Sequence, residues 1–456
     1  MSKTTRSRIG RRQFVSTTAG IIGAGAALGA AQSGASTSTA ASNSRIQGAN
    51  DRVRVALIGA GRQGIGVMRN HQRLDDVDVV AVCDVYKPNL DKASGFAPKA
   101  ERVTDFRRIL DDKSINAVIL GTPDHWHALQ TVMACAAGKD VYVEKPTSVA
   151  IAEGRAMVDA ARKHQRIVQV GTQQRSALHF QKAVEVVKEG KIGAVTSVRC
   201  WNVGNAAPDG IGNPPDSEPP ADLDWDMWLG PAPKVAFNKN RFGVHPEGFS
   251  HFRWFWDYAG GMMTDWGVHL IDIVQWAMNV DAPLAVSAVG GKFHLKDNRE
   301  TPDTILATYQ YPGFVMSYEN RVCNGHQIND HDYGIYFYGA DGTLFVDREG
   351  YRLEPELRSR KEQPPEMRSF PTQMRSTLDN PTHARNFIDC VKSRKAPICD
   401  IEIGHRSSST AILGNLALRS GGSVTWDGKA EKVTNDNRKA ADLLTREYRK
   451  PWDLKT

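Results

Sequence analysis

Cysteine is scarce in this chain. The six cysteines, at positions 83, 135, 200, 323, 390 and 399 of 456, form no Cys-x-x-Cys pair. This excludes the common zinc ribbons and the thioredoxin-like redox motif, and so few in so long a chain do not build a disulfide scaffold. Cys83 and Cys135 fall within apolar elements and read as small core fillers, while a disulfide among the later cysteines stays open. No His-Glu-x-x-His motif occurs, so no metal site is expected. There is also no run of about 18 apolar residues strong enough to span a membrane. Acidic residues are absent from the first fifty positions, which hold Lys3, Arg6, Arg8, Arg11, Arg12 and Arg45. Those six cations account for most of the net charge of +7 and leave the rest of the chain at +1. A nearly neutral body gives no footprint for a nucleic-acid partner.

Residues 1–50 do not read as a fold. Arg11-Arg12-Gln13-Phe14-Val15 precedes a mildly apolar stretch rich in Ala and Gly, Ala19 to Ala31, and small residues near Ala30 and Ala31 suit a signal peptidase. Gln32 to Asn50 has the Ser/Thr/Ala/Gly composition of a flexible linker. The segment resembles a bacterial twin-arginine export signal. That resemblance implies a signal over residues 1–35, a linker over 36–50, contact with the export machinery and a periplasmic or otherwise exported protein. An uncleaved signal would instead anchor the protein to the membrane.

The rest of the chain is organised around one turn. The apolar run Val53 to Ile58 leads into Gly59-Ala60-Gly61-Arg62-Gln63-Gly64, and a helical stretch, Ile65 to Leu74, follows. Gly59 permits a tight turn, Gly61 lets backbone N–H groups approach a pyrophosphate, and Gly64 lets the helix pack on the strand. A second apolar run, Val77 to Cys83, ends in Asp84, at the offset where an acid accepts hydrogen bonds from an adenosine ribose. An acid there would repel a 2′-phosphate, so NAD is favoured over NADP.

Strand-like and helix-like runs alternate through residues 51–172: Lys87 to Ala97, Arg102-Val103, Phe106 to Asp111, Asn116 to Leu120, Ala128 to Ala137, Asp140 to Val143, Ile151 to His164 and Ile167 to Val170. Such alternation predicts an α/β domain, a doubly wound parallel sheet with ligands beyond the carboxyl ends of its strands. Two strand ends stand out: Gly121-Thr122-Pro123-Asp124-His125-Trp126-His127 and Glu144-Lys145-Pro146. Proline after Lys145 disfavours helix at the lysine and holds it extended at the cleft. There its ammonium can stabilise charge on a substrate oxygen, or it can be a plain surface lysine; the spacing alone does not choose.

The second half begins with a helix, Leu178 to Glu189, and a strand, Ala194 to Val203. A long loop with five prolines, Asn205 to Asp222, reads as a lid or a partner contact. A short helix is expected in Asp224 to Pro231. In Gly260-Gly261-Met262-Met263-Thr264-Asp265-Trp266-Gly267-Val268-His269-Leu270-Ile271-Asp272, Asp265 and His269 stand four apart and would share a helix face. A carboxylate beside an imidazole suits general acid–base work, with the carboxylate orienting or polarising the pair, but such a spacing is more often a surface interaction. Strand-like runs then recur at Ala285 to Phe293, Thr304 to Tyr311, Val315 to Arg321, Gly334 to Tyr338 and Thr343 to Val346, implying a large, mainly antiparallel sheet. Glu354 to Pro371 reads as a surface loop, and helices follow at His383 to Ser393 and Ile403 to Arg419. Seven of the ten tryptophans lie between Trp201 and Trp276. Trp201, Trp254 and Trp256 can offer flat apolar faces to sugar C–H groups or simply pack in the core, and the cluster leans the reading toward carbohydrate.

Taken together, the glycine turn, Gly121-Thr122-Pro123, Glu144-Lys145-Pro146 and the Gly-Gly…Asp265…His269…Asp272 stretch resemble the Gfo/Idh/MocA (glucose-fructose oxidoreductase and inositol dehydrogenase) family over about residues 51–430. The resemblance implies a Rossmann domain over 51–172, an α+β substrate and oligomerisation domain with a large open sheet over 173–440, and a tail over 441–456. It implies catalytic roles for Lys145, Asp265 and His269. Gly59, Gly61, Arg62, Gln63, Gly64, Asp84, Thr122, Pro123, His127, Glu144 and Lys145 would bind the cofactor. Lys145, Arg175, Asp265 and His269 would bind substrate, and Asp272 would support the helix or the substrate. The family often has a hydrophobic or aromatic residue after the equivalent of Arg175; here it is Ser176. The expected activity is NAD-dependent hydride transfer at a secondary hydroxyl or ketone of a sugar, glycoside or cyclitol. Free NAD is not plentiful outside the cytoplasm, so the cofactor is expected to be tightly held. The protein is expected to be a dimer or tetramer of identical chains. Two alternatives stand beside this: an NAD-dependent glycoside hydrolase or lyase acting through a transient keto-sugar, and a sugar-binding protein that lost its chemistry.

Overall fold

The computed structural model describes residues 52–243, 250–356 and 371–454. The twin-arginine segment, the linker and most of the expected surface loop before Pro371 lie outside the described residues.

The first half alternates as expected. β1 (Val53–Ile58), α1 (Arg62–Gln72), β2 (Val77–Cys83), α2 (Lys87–Phe96), β3 (Glu101–Val103), α3 (Phe106–Asp111), β4 (Ala117–Leu120), α4 (Asp124–Ala136), β5 (Asp140–Val143), α5 (Ile151–Lys163) and β6 (Val168–Val170) follow in order. All six strands are parallel, in the order β3-β2-β1-β4-β5-β6. β1, β4 and β5 are almost wholly buried, as strands covered by helices on both faces must be. The strand order reverses between β1 and β4, and Gly59 and Gly121 follow those two strands at the crevice where such sheets bind ligands. Two helices start earlier than expected. α1 begins at Arg62 because Gly61 already serves as its N-cap, and α4 begins at Asp124 because Pro123 does the same. His127 therefore sits within a helix.

α6 (Leu178–Lys188) and β7 (Val195–Val203) open the second half. The proline-rich loop does not stand apart as a lid. It carries β8 (Asp216–Ser217), pairs it with β9 (Phe237–Asn238), and with α7 (Trp225–Leu229) and α8 (Lys239–Phe242) packs into an aromatic cluster that adjoins Val85 and Tyr86. α9 (Gly261–Asp265) and α10 (Gly267–Met278) are separate helices broken at Trp266, so Asp265 and His269 do not lie on one continuous helix as expected. α10 is apolar nearly all round, and ten of its twelve residues are buried.

β10 (Ala285–Gly291), β11 (Thr304–Tyr311), β12 (Phe314–Arg321), β13 (Tyr333–Gly339), β14 (Gly342–Asp347), β15 (Gly350–Pro355) and β16 (Gln373–Arg375) follow, then α11 (Asn380–Ser393), α12 (Ile401–Ser420), β17 (Val424–Asp427), β18 (Lys432–Val433) and α13 (Arg438–Asp442). They form a ten-stranded sheet in the order β16-β15-β14-β13-β7-β12-β11-β10-β17-β18, antiparallel except for the parallel pair β7–β12. Its inner face packs on α6, α10 and α12 through Phe180, Ile271, Tyr318 and Leu416.

The last residues are not a free tail. Arg446 and Tyr448 both bond Glu153 of α5 at 2.7 Å, and Trp452 packs edge-on against Trp126. α11 also returns to the first sheet's helices, where Arg385 and Lys392 pair with Asp76. Among the described residues all six cysteines are free thiols, and no helix is long and apolar enough to cross a membrane.

Candidate active site

A cavity of about 730 Å³ lies where the two halves meet, walled by the glycine turn, the ends of β4 and β5, and residues of the second half around α9 and α10. Its floor is set by glycine. Gly59 has φ +88°, and a Cβ there would stand 2.5 Å from the Thr122 nitrogen. A Cβ on Gly64 would lie 2.0 Å from the Gly59 carbonyl oxygen, so this glycine serves the packing of α1 and does not line the cavity. Gly61 is different: a Cβ there would meet nothing within 4 Å. The first turn of α1 has neither a capping side chain nor an acidic residue, so its N–H groups and the positive end of its dipole face the cavity. The open face at Gly61 and the uncapped helix fit the phosphates of a dinucleotide. Asp84 completes this end. It accepts from the Ala60 N–H at 2.7 Å and the Tyr86 N–H at 2.9 Å, and burial pushes its carboxyl up to about 6.

At the other end the halves are joined by charge. The Lys145 ammonium donates to the Asp265 carboxylate at 2.7 Å and to the Asp265 carbonyl at 2.9 Å. Arg253 donates to the same carboxylate oxygen at 3.0 Å. Burial alone would raise the Asp265 carboxyl, but Arg253 and Lys145 overcome it and hold it well below the usual carboxylate range. His269 is buried at the cavity wall, and its Nδ1 has no hydrogen-bond partner. Burial, reinforced by Arg348 and Lys145, keeps this imidazole well below its ordinary value and hence neutral. The Asp265 carboxylate thus engages Lys145 and Arg253 and not the imidazole. The break at Trp266 separates them, and the expected Asp–His couple is replaced by an Asp–Lys–Arg cluster beside a neutral histidine.

The remaining expected cofactor residues are placed as follows. Arg62, Gln63, Thr122, Pro123 and Glu144 line the cavity. Gln63 and Gln173 each donate to Glu144 at 3.1 Å, and the Thr122 hydroxyl donates to Gln130 at 2.9 Å. His127 touches the cavity, but its ring is buried between the Pro146 and Thr122 carbonyls at 2.7 and 2.8 Å. Burial lowers its pKa to about 4, so the neutral ring donates to one carbonyl and ties together the loops after β4 and β5.

Arg175 corrects the expectation of a substrate contact. It does not line the cavity. It grips Asp272 with two hydrogen bonds of 2.7 and 2.9 Å, and the side chains are only 6 and 1% exposed. Ser407 of α12 donates to the same carboxylate at 2.7 Å. Asp272 supports α10 and not the cavity. The tryptophan reading also shifts. Trp201 is wholly buried on the far face of the large sheet, against Tyr336 and Phe345, and neither Trp254 nor Trp256 lines the cavity; Trp126, Trp228 and Trp266 do.

Three lining residues were not anticipated. Arg253 comes from a 3₁₀ turn, His251–Trp254, and Arg348 from the turn between β14 and β15; each is a single basic residue with no sequence pattern around it. Asp124 stands inside the Gly121–His127 stretch. Burial pushes its carboxyl up to about 7, with nearby Asp265 adding to the shift and Arg253 and Lys145 opposing it.

A dinucleotide crevice joined to an open-sheet domain through a buried lysine–aspartate pair defines a two-domain oxidoreductase architecture. Residues 53–172 match the oxidoreductase family's NAD-binding Rossmann fold, and residues 207–454 match its C-terminal alpha/beta domain. The chain belongs to the Gfo/Idh/MocA oxidoreductase family. It is 33% identical to an uncharacterized oxidoreductase, YrbE, of Bacillus subtilis, over 30% of this chain and 40% of that one. A protein named Glycosyl hydrolase family 109 protein from Shewanella pealeana is 32% identical over 25% of this chain and 27% of its own. The chain thus spans under half the length of these relatives. Among solved structures, the Chromobacterium violaceum WlbA dehydrogenase in complex with NADH and UDP-GlcNAcA superposes with a TM-score of 0.63, at 21% identity over 83% of this chain and 97% of that one. A levoglucosan dehydrogenase in complex with NADH and levoglucosan gives a TM-score of 0.60, at 18% identity over 82% and 99%.

Proposed function

We propose that the protein is an NAD-dependent dehydrogenase acting on a secondary hydroxyl or ketone of a sugar, glycoside or cyclitol. The observation that carries this reading is the Lys145–Asp265 pair, which brings the two halves together in the cavity beside the neutral imidazole of His269. Gly61, the first turn of α1 and Asp84 hold the dinucleotide, and Asp84 disfavours a 2′-phosphate. When bound, the nicotinamide would supply the hydride acceptor. His269, neutral at physiological pH, takes the hydroxyl proton on its imidazole. Lys145 donates a hydrogen bond to the same oxygen and stabilises charge developing on it. Asp265, held by Arg253, fixes the ammonium in place. The test is reduction of NAD by a panel of sugars and cyclitols, read at nicotinamide absorbance. No turnover with any of them by folded, NAD-saturated protein counts against the reading.

The sugar class is supported by the similar dehydrogenases of known structure, which hold a nucleotide sugar and levoglucosan. The relatives named as glycosyl hydrolases support a second reading, in which oxidation of the sugar permits elimination and the hydride is then returned. Release of the aglycone with no accumulation of reduced cofactor would identify it.

The proposal extends to place and assembly. Arg11-Arg12 and the weakly apolar segment after them support twin-arginine export, which moves folded proteins and so carries a tightly bound NAD along. Mass spectrometry of nucleotide released from protein purified from the periplasm tests both points. Val289, Leu306 and Val315 stand exposed on the large sheet and support a homo-oligomer, which light scattering would measure.

A further inference from the structure

Arg348 enters the cavity from the second half, in the turn that joins β14 to β15. Its guanidinium lies 4.6 Å from the centre of the Trp266 ring. Its Nε is buried with no hydrogen-bond partner, and Nη2 reaches only the Gln174 amide oxygen, at 3.5 Å. No carboxylate among the described residues pairs with it. The nearby acids are engaged elsewhere. Asp265 is shared by two cations, Lys145 and Arg253. Glu144 receives the Gln63 and Gln173 amides, and burial pushes its carboxyl upward. The Tyr333 phenol and the neutral His269 bring no negative charge.

A partly buried guanidinium that lines a cavity without a counter-charge is poised for a ligand that supplies the charge. Its planar fork matches a carboxylate through two parallel hydrogen bonds. Trp266 fixes the plane of that fork, and the same residue precedes α10, which carries His269.

We propose that Arg348 is a specificity-determining residue which receives a substrate carboxylate, so that the preferred substrate is an acidic sugar, a uronate or aldonate, and not its neutral counterpart. This rests on the dehydrogenase reading and names the substrate class within it.

The test uses NAD-saturated protein and titration calorimetry with sodium D-glucuronate, D-glucose and inorganic phosphate. Glucuronate is expected to bind at least about tenfold more tightly than glucose, as one charge-assisted contact provides. Arg348→Met should erase that preference. Equal affinities, no binding of glucuronate, a preference that survives the substitution, or phosphate bound in place of glucuronate would each overturn the proposal. A second measurement guards against misfolding. Arg348→Met removes an unpaired charge and should leave the thermal midpoint of the unliganded protein unchanged or higher, whereas Arg253→Met breaks an ion pair and should lower it. If the two variants fall together, Arg348 is structural and the proposal fails. Turnover is read separately, so a protein that binds glucuronate through Arg348 but reduces no NAD overturns the function and leaves this site standing.

Discussion

Lys145 and Asp265 lie 120 residues apart in the chain, yet their side chains meet at 2.7 Å. Each comes from a different half, and both are nearly buried, with side-chain exposures of 12 and 10%. Arg253 adds a second cation to the same carboxylate, so Asp265 stays ionised and the ammonium has one fixed position. Lys145→Ala and His269→Ala should each lower kcat by about 10²–10⁴-fold, the usual contribution of acid–base and hydrogen-bonding groups. NAD affinity should change little, because the glycine turn and Asp84 are untouched. Steady-state turnover with NAD binding measured in parallel checks this; near-normal turnover in both variants would remove the assigned roles.

The glycines of the first turn separate folding from binding. Gly64→Ala puts a Cβ against the Gly59 carbonyl at 2.0 Å, where backbone must move, so the variant should lose stability and NAD together. Gly61→Ala meets nothing within 4 Å, and Gly61 has φ −68°, which alanine adopts freely. Its thermal midpoint should match the wild type in the absence of NAD, while NAD affinity falls because the methyl group occupies the approach to the phosphates. A Gly61→Ala protein that binds NAD normally would place the dinucleotide elsewhere.

The first domain was legible because its signals are local. Apolar runs of strand length, glycines at fixed offsets and an acid at the next strand end report one another within thirty residues. Lys145 was legible through Pro146, which constrains the backbone beside it. What the sequence hid was long-range. Nothing near Arg175 says that Asp272 will claim its guanidinium, so a buried ion pair was read as a substrate contact. Nothing around Arg253 or Arg348 marks either one, since a lone arginine in a loop carries no period or spacing. The spacing of Asp265 and His269 suggested one helix, but Gly267 follows Trp266 and the helix breaks there, turning the carboxylate toward Lys145. For Trp201 the alternatives of sugar contact and core packing stayed open, because alternation along β7 shows that successive residues face opposite sides of the sheet without showing which side faces the cavity; the structure places it in the core.

Arg175 and Asp272 yield a stability prediction. The pair is buried, and Ser407 supplies a further hydrogen bond. Asp272→Ala strands a buried guanidinium and should cost about 3–5 kcal/mol, the usual penalty for removing one partner of such a pair. The double variant Arg175→Met/Asp272→Ala should recover part of that loss, because the uncompensated charge is gone. Denaturant unfolding of the three proteins measures it. A double variant no more stable than Asp272→Ala would show that the pair's worth lies in geometry and not in charge compensation.

Asp84 gives the cofactor site a pH dependence whose sign can be worked out. Burial raises its carboxyl to about 6 in the protein without nucleotide, against an ordinary value near 3.8. A raised carboxyl stabilises the fold below its unfolded value, and that contribution is lost as pH rises through about 6, where the buried group must ionise. Dinucleotide binding runs the other way. The ribose hydroxyls donate to the ionised carboxylate, so binding favours the deprotonated form and must expel the proton at low pH. NAD affinity should therefore be flat above pH 7 and fall below pH 6, by up to about tenfold per pH unit for a single linked proton. Asp84→Asn carries no titrating group; its affinity should be lower at pH 8 and should lack the fall near pH 6. Calorimetric titration of NAD from pH 5 to 8 into both proteins decides the matter, and an identical pH profile in the variant would show that another group governs the cofactor site.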